Sequence, residues 1–177
     1  LRLFWDDSGS GFFIYGNDSE ELILRPKDVY DGALPSGNSV AAMDLLKLSR
    51  LTGDEAYRKF ADRIFGAFAG DAAESPISHA YLLSALLYRE VPGENIVIAG
   101  NLGSDETEKM LREYNRGYFP RSSIILQDQD RRLKSISPSA AMINSEGGRT
   151  AAYICRNFVC EEPVYDAEQF KILLQKK

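Results

Sequence analysis

From Asn38 to Leu51 the apolar side chains Val40, Ala41, Ala42, Met43, Leu45, Leu46, Leu48 and Leu51 take up most of a helical circumference, leaving a narrow charged stripe of Asp44, Lys47 and Arg50. A helix of this kind must be covered on more than one side. Asn38 or Ser36 is its predicted N-cap. Thr52-Gly53-Asp54 then predicts a tight turn, with Gly53 suited to a left-handed position and Asp54 to a cap. The next helix, 55–69, places Tyr57, Phe60, Ala61, Ile64, Phe65 and Phe68 on one face and leaves Glu55, Arg58, Lys59, Asp62 and Arg63 to water. A third helix, 77–88, carries no charge before Arg89 and must also be enclosed. This alternation of buried, surface and buried helices points to a two-layered helical ring, because a plain three-helix bundle would make all three amphipathic.

Either side of the helices the pattern shortens. Gly11–Tyr15 and Leu22–Arg25 are short apolar runs around the turn formers 16–20, which predicts a β-hairpin. Pro26 ends the second run, and the aperiodic stretch 28–37 is a long connection of the kind that carries function. Composition changes at Val91-Pro92-Gly93, which divides the chain into domains 1–90 and 93–177. Beyond that point Asn95–Ala99 reads as a strand covered on both faces. A helix over 104–114 follows, then strands at 123–127, 151–154 and 158–161, and a closing helix over 166–174 capped by Asp166. Strand, helix, strand, loop, strand, helix describes a small α/β layer domain. The fold class is therefore mixed α and β: helical hairpins, then an α/β domain for which a thioredoxin-like arrangement is one form.

Composition narrows the function classes. With 177 residues, 44% hydrophobic and 27% charged, the chain can bury a real core. It holds no apolar stretch long enough to span a bilayer. The start, Leu1 to Asp7, has neither an initiator Met nor a signal-peptide pattern and reads as a piece of a longer chain. The net charge of −5 lies in the first half, with nine basic against 14 acidic residues over 1–90 and 12 of each over 91–177. That balance argues against a nucleic-acid partner, and Arg131-Arg132-Leu133-Lys134 is too short a cluster to reverse it. Two cysteines, Cys155 and Cys160, suggest a reducing, cytoplasmic setting with thiols reduced and partly buried. With a single histidine there are too few ligands for a structural zinc site, so no metal or other cofactor is expected.

Two segments are similar to one family. They are Arg25-Pro26-Lys27-Asp28-Val29-Tyr30-Asp31-Gly32-Ala33-Leu34-Pro35-Ser36-Gly37-Asn38-Ser39-Val40-Ala41-Ala42 and Ala152-Tyr153-Ile154-Cys155-Arg156-Asn157-Phe158-Val159-Cys160-Glu161-Glu162-Pro163-Val164. They resemble the carboxy-terminal third of the thioredoxin-domain-containing proteins related to spermatogenesis-associated protein twenty. The resemblance implies a barrel of six helical hairpins, an (α/α)6 toroid akin to N-acylglucosamine 2-epimerases and six-hairpin glycosidases, followed by a small α/β module. The present chain would then carry an incomplete toroid and that module, without the family's amino-terminal thioredoxin-like domain. Such a match implies a fold more directly than a reaction.

The candidate chemistry lies where the two enclosed helices begin. Separated by one antiparallel helix, they run parallel and share an end, where N-terminal N–H groups and dipoles favour hydroxyl-rich or anionic ligands. Asp31 and His79 are the candidate acid and base, since an imidazole titrates near neutrality and a carboxylate could partner it. Trp5, Asp6, Tyr30, Ser36, Asn38 and Ser39 supply the aromatic faces and hydrogen-bonding groups that a sugar or polyol requires. The leading expectation is a carbohydrate-type ligand site, epimerase- or glycosidase-like in a complete protein. The alternative is a non-catalytic scaffold or redox-accessory protein. Cys155 and Cys160 are candidate redox thiols, although Cys-x4-Cys lacks the spacing that activates a thiol at a helix start. Partners expected are the remainder of a longer chain and, through exposed inner faces, further copies of this one. Gly100–Ser104 looks superficially like a phosphate loop, but Asp105 and Glu106 already neutralise the following helix dipole.

Overall fold

The computed structural model describes residues 1–20, 23–156 and 159–175. It divides into two compact units, one of residues 1–49 and 54–91, the other of residues 50–53 and 92–177.

The first unit is built on three helices: α1 (Gly37–Thr52), α2 (Glu55–Glu74) and α3 (Ala80–Glu90), the last entered through a 3-10 turn at Pro76–His79. Ser36 starts α1, its hydroxyl accepting from the N–H of Ser39 at 3.1 Å. Gly53, at φ +78°, makes the turn into α2, and Asp54 caps that helix through the N–H of Ala56 at 2.8 Å. The core joins Ala42, Leu45 and Leu46 of α1, Ala61, Ile64, Phe65 and Phe68 of α2, and Leu82, Ala85 and Tyr88 of α3. The face of α2 that periodicity assigned to the interior is the buried one.

Enclosure of α1 and α3 differs from expectation. Ile77 is 91% exposed and Leu87 64% exposed, and Leu48 of α1 is exposed as well. Apolar side chains on both helices and on the turn into α3 are therefore left open to solvent instead of being enclosed all round.

The leading segment also departs from the predicted hairpin. Gly11–Tyr15 folds back on the residues before it, through Asp6 N–H to Gly11 carbonyl (2.9 Å), Phe13 N–H to Phe4 carbonyl (2.8 Å) and a Trp5–Phe12 bridge. Ser10 (φ +60°) and Gly11 (φ +82°) make the reversal. Gly11 is required there twice over, because a Cβ would also stand 3.0 Å from both Asn38 Oδ1 and a Phe68 ring carbon. Of the second predicted run, Leu22 lies outside the described residues and 23–25 form no strand; Ile14 N–H reaches Pro26 carbonyl instead.

The second unit contains a four-stranded mixed sheet of order β2-β1-β3-β4: β1 (Glu94–Ala99), β2 (Ser122–Gln127), β3 (Ala151–Arg156) and β4 (Val159–Cys160). β1 is parallel to β2 through the connecting α4 (Asp105–Arg116), antiparallel to β3, and β3 is antiparallel to β4. Alternation along β1 sends Ile96 and Ile98 to one face, where Met110 of α4 packs with Phe170 and Leu174 of α7 (Ala167–Gln175). Val97 faces the other way, onto Ile125, Cys155 and Ala140 of the short α6 (Pro138–Ala141), which follows the equally short α5 (Leu133–Ile136). The continuous apolar run is thus covered on both faces. Asp166 caps α7 through the N–H of Gln169 at 2.8 Å. Phe158, the predicted start of the fourth strand, lies outside the described residues.

Candidate functional site

The starts of α1 and α3 meet on one carboxylate. Asp31 Oδ1 accepts the N–H of Ser36 at 2.9 Å, at the start of α1. Asp31 Oδ2 accepts the N–H groups of Tyr81 (2.8 Å) and Leu82 (2.9 Å), in the first turn of α3. The N–H of Asp31 donates to the Ser78 carbonyl at 2.8 Å. These are unpaired N–H groups of two helix ends, satisfied by one external anion. Burial alone would raise the Asp31 pKa, but the N–H groups of Ser36, Leu82 and Tyr81 and the Ser39 hydroxyl prevail, and it lies below the usual carboxylate range. A carboxylate held ionised by three backbone donors is a poor acceptor for a further proton near neutrality.

The remaining predicted ligands are also bonded internally. Asn38 is buried; its Oδ1 accepts the N–H of Phe12 at 2.6 Å, and its Nδ2 donates to the carbonyls of Phe12 (2.9 Å) and Asp28 (2.8 Å). The Ser36 and Ser39 hydroxyls bond each other at 2.9 Å in the interior. Asp6 closes a turn through Ser8 and Gly9 on Oδ1 and pairs with Lys27 on Oδ2 at 2.6 Å, and the Lys27 bond, followed by the Gly9 N–H and the Ser8 hydroxyl, holds its pKa far below the ordinary value. Trp5 packs edge-on against Phe12 (5.0 Å between ring centres) and Phe60 (4.8 Å), with the Arg63 guanidinium 4.8 Å above its ring. His79 is only 6% exposed, with Nδ1 at 2.8 Å from the Ser75 carbonyl. A carbonyl oxygen only accepts, so Nδ1 carries the proton in that bond. No hydrogen bond joins His79 to Asp31 among the described residues, and the paired acid and base of the sequence reading are not formed. Tyr30, 62% exposed, is the predicted contact left open to solvent.

The structure thus brings Asp31, Ser36, Ser39 and the start of α3 together, as parallel helices require. It spends their polar atoms on each other. Sequence reasoning missed Arg63, which bonds the Asp7 carbonyl (2.8 Å) and Ser10 hydroxyl (3.1 Å) across more than 50 residues. Nothing in its neighbours along the chain distinguishes it from the other cations of the wet face of α2.

The cysteines correct a further expectation. Cys155 and Cys160 are joined in a disulfide instead of being reduced thiols. They stand directly opposite in the β3–β4 register, with Cα atoms 3.9 Å apart. Among the described residues no helix is long and apolar enough to cross a membrane.

Comparison with known proteins places this arrangement beside large relatives. The chain is similar to spermatogenesis-associated protein 20. It is 30% identical to the human protein over 176 residues and 31% identical to the rat protein over 178. An uncharacterized protein of Caenorhabditis elegans is 27% identical over 173 residues. These matches cover 98–99% of this chain but only 22–23% of the relatives, so it is homologous to the carboxy-terminal part of much longer proteins. No family model matches the chain.

Proposed function

We propose that this chain is a load-carrying, non-catalytic segment of a longer polypeptide like spermatogenesis-associated protein 20. In this reading residues 1–91 form part of the wall of an (α/α)6 toroid, and the Asp31 junction is a rigid rim that fixes how two wall helices start. Residues 92–177 form a thioredoxin-like module that lacks a catalytic thiol at the start of its first helix. One observation carries the reading: both oxygens of Asp31, the best candidate catalytic group, are engaged by three backbone N–H groups. The exposed Ile77, in the turn before α3, and Leu87 on α3 add to it, since they match the unpartnered side of a wall. The strand order β2-β1-β3-β4 with β3 antiparallel to β1, and helices after β1 and β4, favours the thioredoxin-like form. At the start of α4, where a reactive thiol would gain most from the helix dipole, stands Ser104 and not a cysteine.

A thermal-shift panel of hexoses and polyols tests the reading against a carbohydrate site. We expect no sugar to raise the melting temperature of the chain, and Asp31→Asn to lower it without changing the response to any sugar. A sugar-dependent rise of several degrees that disappears in Tyr30→Ala would overturn the scaffold in favour of ligand binding.

A further inference from the structure

We propose that Cys155–Cys160 is a thiol–disulfide exchange site, reduced by an external dithiol through attack on Cys160, and that the bond is a clasp over the recess beside it.

Accessibility separates the two sulfur-bearing residues. Cys155 lies in the buried cluster with Val97, Ile125 and Ala140, whereas Cys160 is exposed on β4, a two-residue strand at the edge of the sheet. Exchange needs a thiolate to approach one sulfur from the side away from the other, so the exposed Cys160 offers the more open path. The step balances. The incoming thiolate forms a bond to Cys160 Sγ, the disulfide breaks, and Cys155 leaves as a thiolate that takes a proton from solvent. The second thiol of the same reductant then displaces Cys160, which leaves as a thiolate and is protonated in turn. Two electrons pass to the protein, and the reductant becomes a disulfide.

Reduction removes the covalent tie of β4, which is only two residues long. Among the described residues it pairs with β3 at Cys155–Cys160 and Arg156–Val159, followed by the Glu161 N–H to the Ile154 carbonyl at 2.9 Å, the Ala152–Val164 bridge and the Arg156–Glu161 ion pair. Ion pairs this exposed contribute little. Both cysteines line a small recess with Asn95, Val97, Ile125, Ser139, Ala140 and Ile143. The Asn95 Oδ1 atom in that lining is buried and accepts no hydrogen bond. An unsatisfied acceptor penalises the closed arrangement, and lifting β4 lets water reach it. Without the covalent tie, the balance at this edge shifts toward opening.

The test uses the whole 177-residue chain, purified without reductant. Under native conditions N-ethylmaleimide should add no mass before treatment and two equivalents after dithiothreitol. Amide exchange at Val159–Glu161 should then accelerate about tenfold or more, while Ile96–Ile98 stays protected. In the single variants, oxidised glutathione should modify Cys160 in Cys155→Ser faster than it modifies Cys155 in Cys160→Ser. Two reactive thiols at the outset would overturn the proposal, as would a bond that dithiothreitol cuts only in denaturant. Unchanged exchange at Val159–Glu161 after complete reduction would refute the clasp.

Discussion

Asp31 carries a full charge where its loop meets the starts of α1 and α3, and removing it strands three backbone donors at once. Asp31→Ala is expected to cost roughly 2–4 kcal/mol, on the scale of losing charged hydrogen bonds and a helix cap together, measured by urea unfolding. Asp31→Asn keeps one acceptor oxygen and should cost less. The lowered pKa fixes the sign of the pH dependence. Protonation is favoured in the unfolded chain, so the stabilisation is complete above the ordinary carboxylate range near pH 4 and fades as pH falls through the lower folded value. The unfolding midpoint of Asp31→Asn should therefore fall less steeply than that of the parent below about pH 4. These residues were visible in the sequence as a polar cluster at two helix starts; their employment was not. A capping aspartate and a catalytic one are the same letters, and only the positions of Tyr81 and Leu82, 50 residues away, tell them apart.

At the scale of elements, legibility followed the range of the forces involved. α2 and β1 could be read because each buries a face, or both faces, set by its own periodicity. The boundary Gly53-Asp54 could be read because a left-handed glycine and a cap are local chemistry. The first 36 residues could not, since Gly11–Tyr15 takes its direction from Trp5 and Asn38, and no local rule selects the preceding chain over the following one as its partner. Enclosure of α3 was read from its lack of charge, and the same feature becomes an exposed apolar strip here. Leu87→Glu should reduce concentration-dependent association of the chain in sedimentation velocity while leaving the urea midpoint within about 0.5 kcal/mol of the parent, as for other exposed sites. Equal association in parent and variant would remove α3 from any contact between copies.

On the scale of the whole molecule, a chain matching little more than a fifth of its relatives divides into two units, each with its own core. The mixed sheet was foreseen in kind, as an α/β layer; its order depends on which strand edges meet and is not written in any one run. The redox state of Cys155 and Cys160 belongs to this scale too, because their encounter is decided by sheet pairing and not by their spacing along the chain.

The leading coil is sutured to the helices by single side chains. Asn38 offers Phe12 both an acceptor and a donor, as a neighbouring strand would, and Arg63 and Lys27 add stitches at Asp7 and Ser10. Between Gly16 and Glu20 the thread runs on the outside, with Asn17 to Glu20 open to solvent. A protease that snips there should leave both cut ends in place, so that a nicked molecule migrates as one particle under native conditions and as two pieces in detergent.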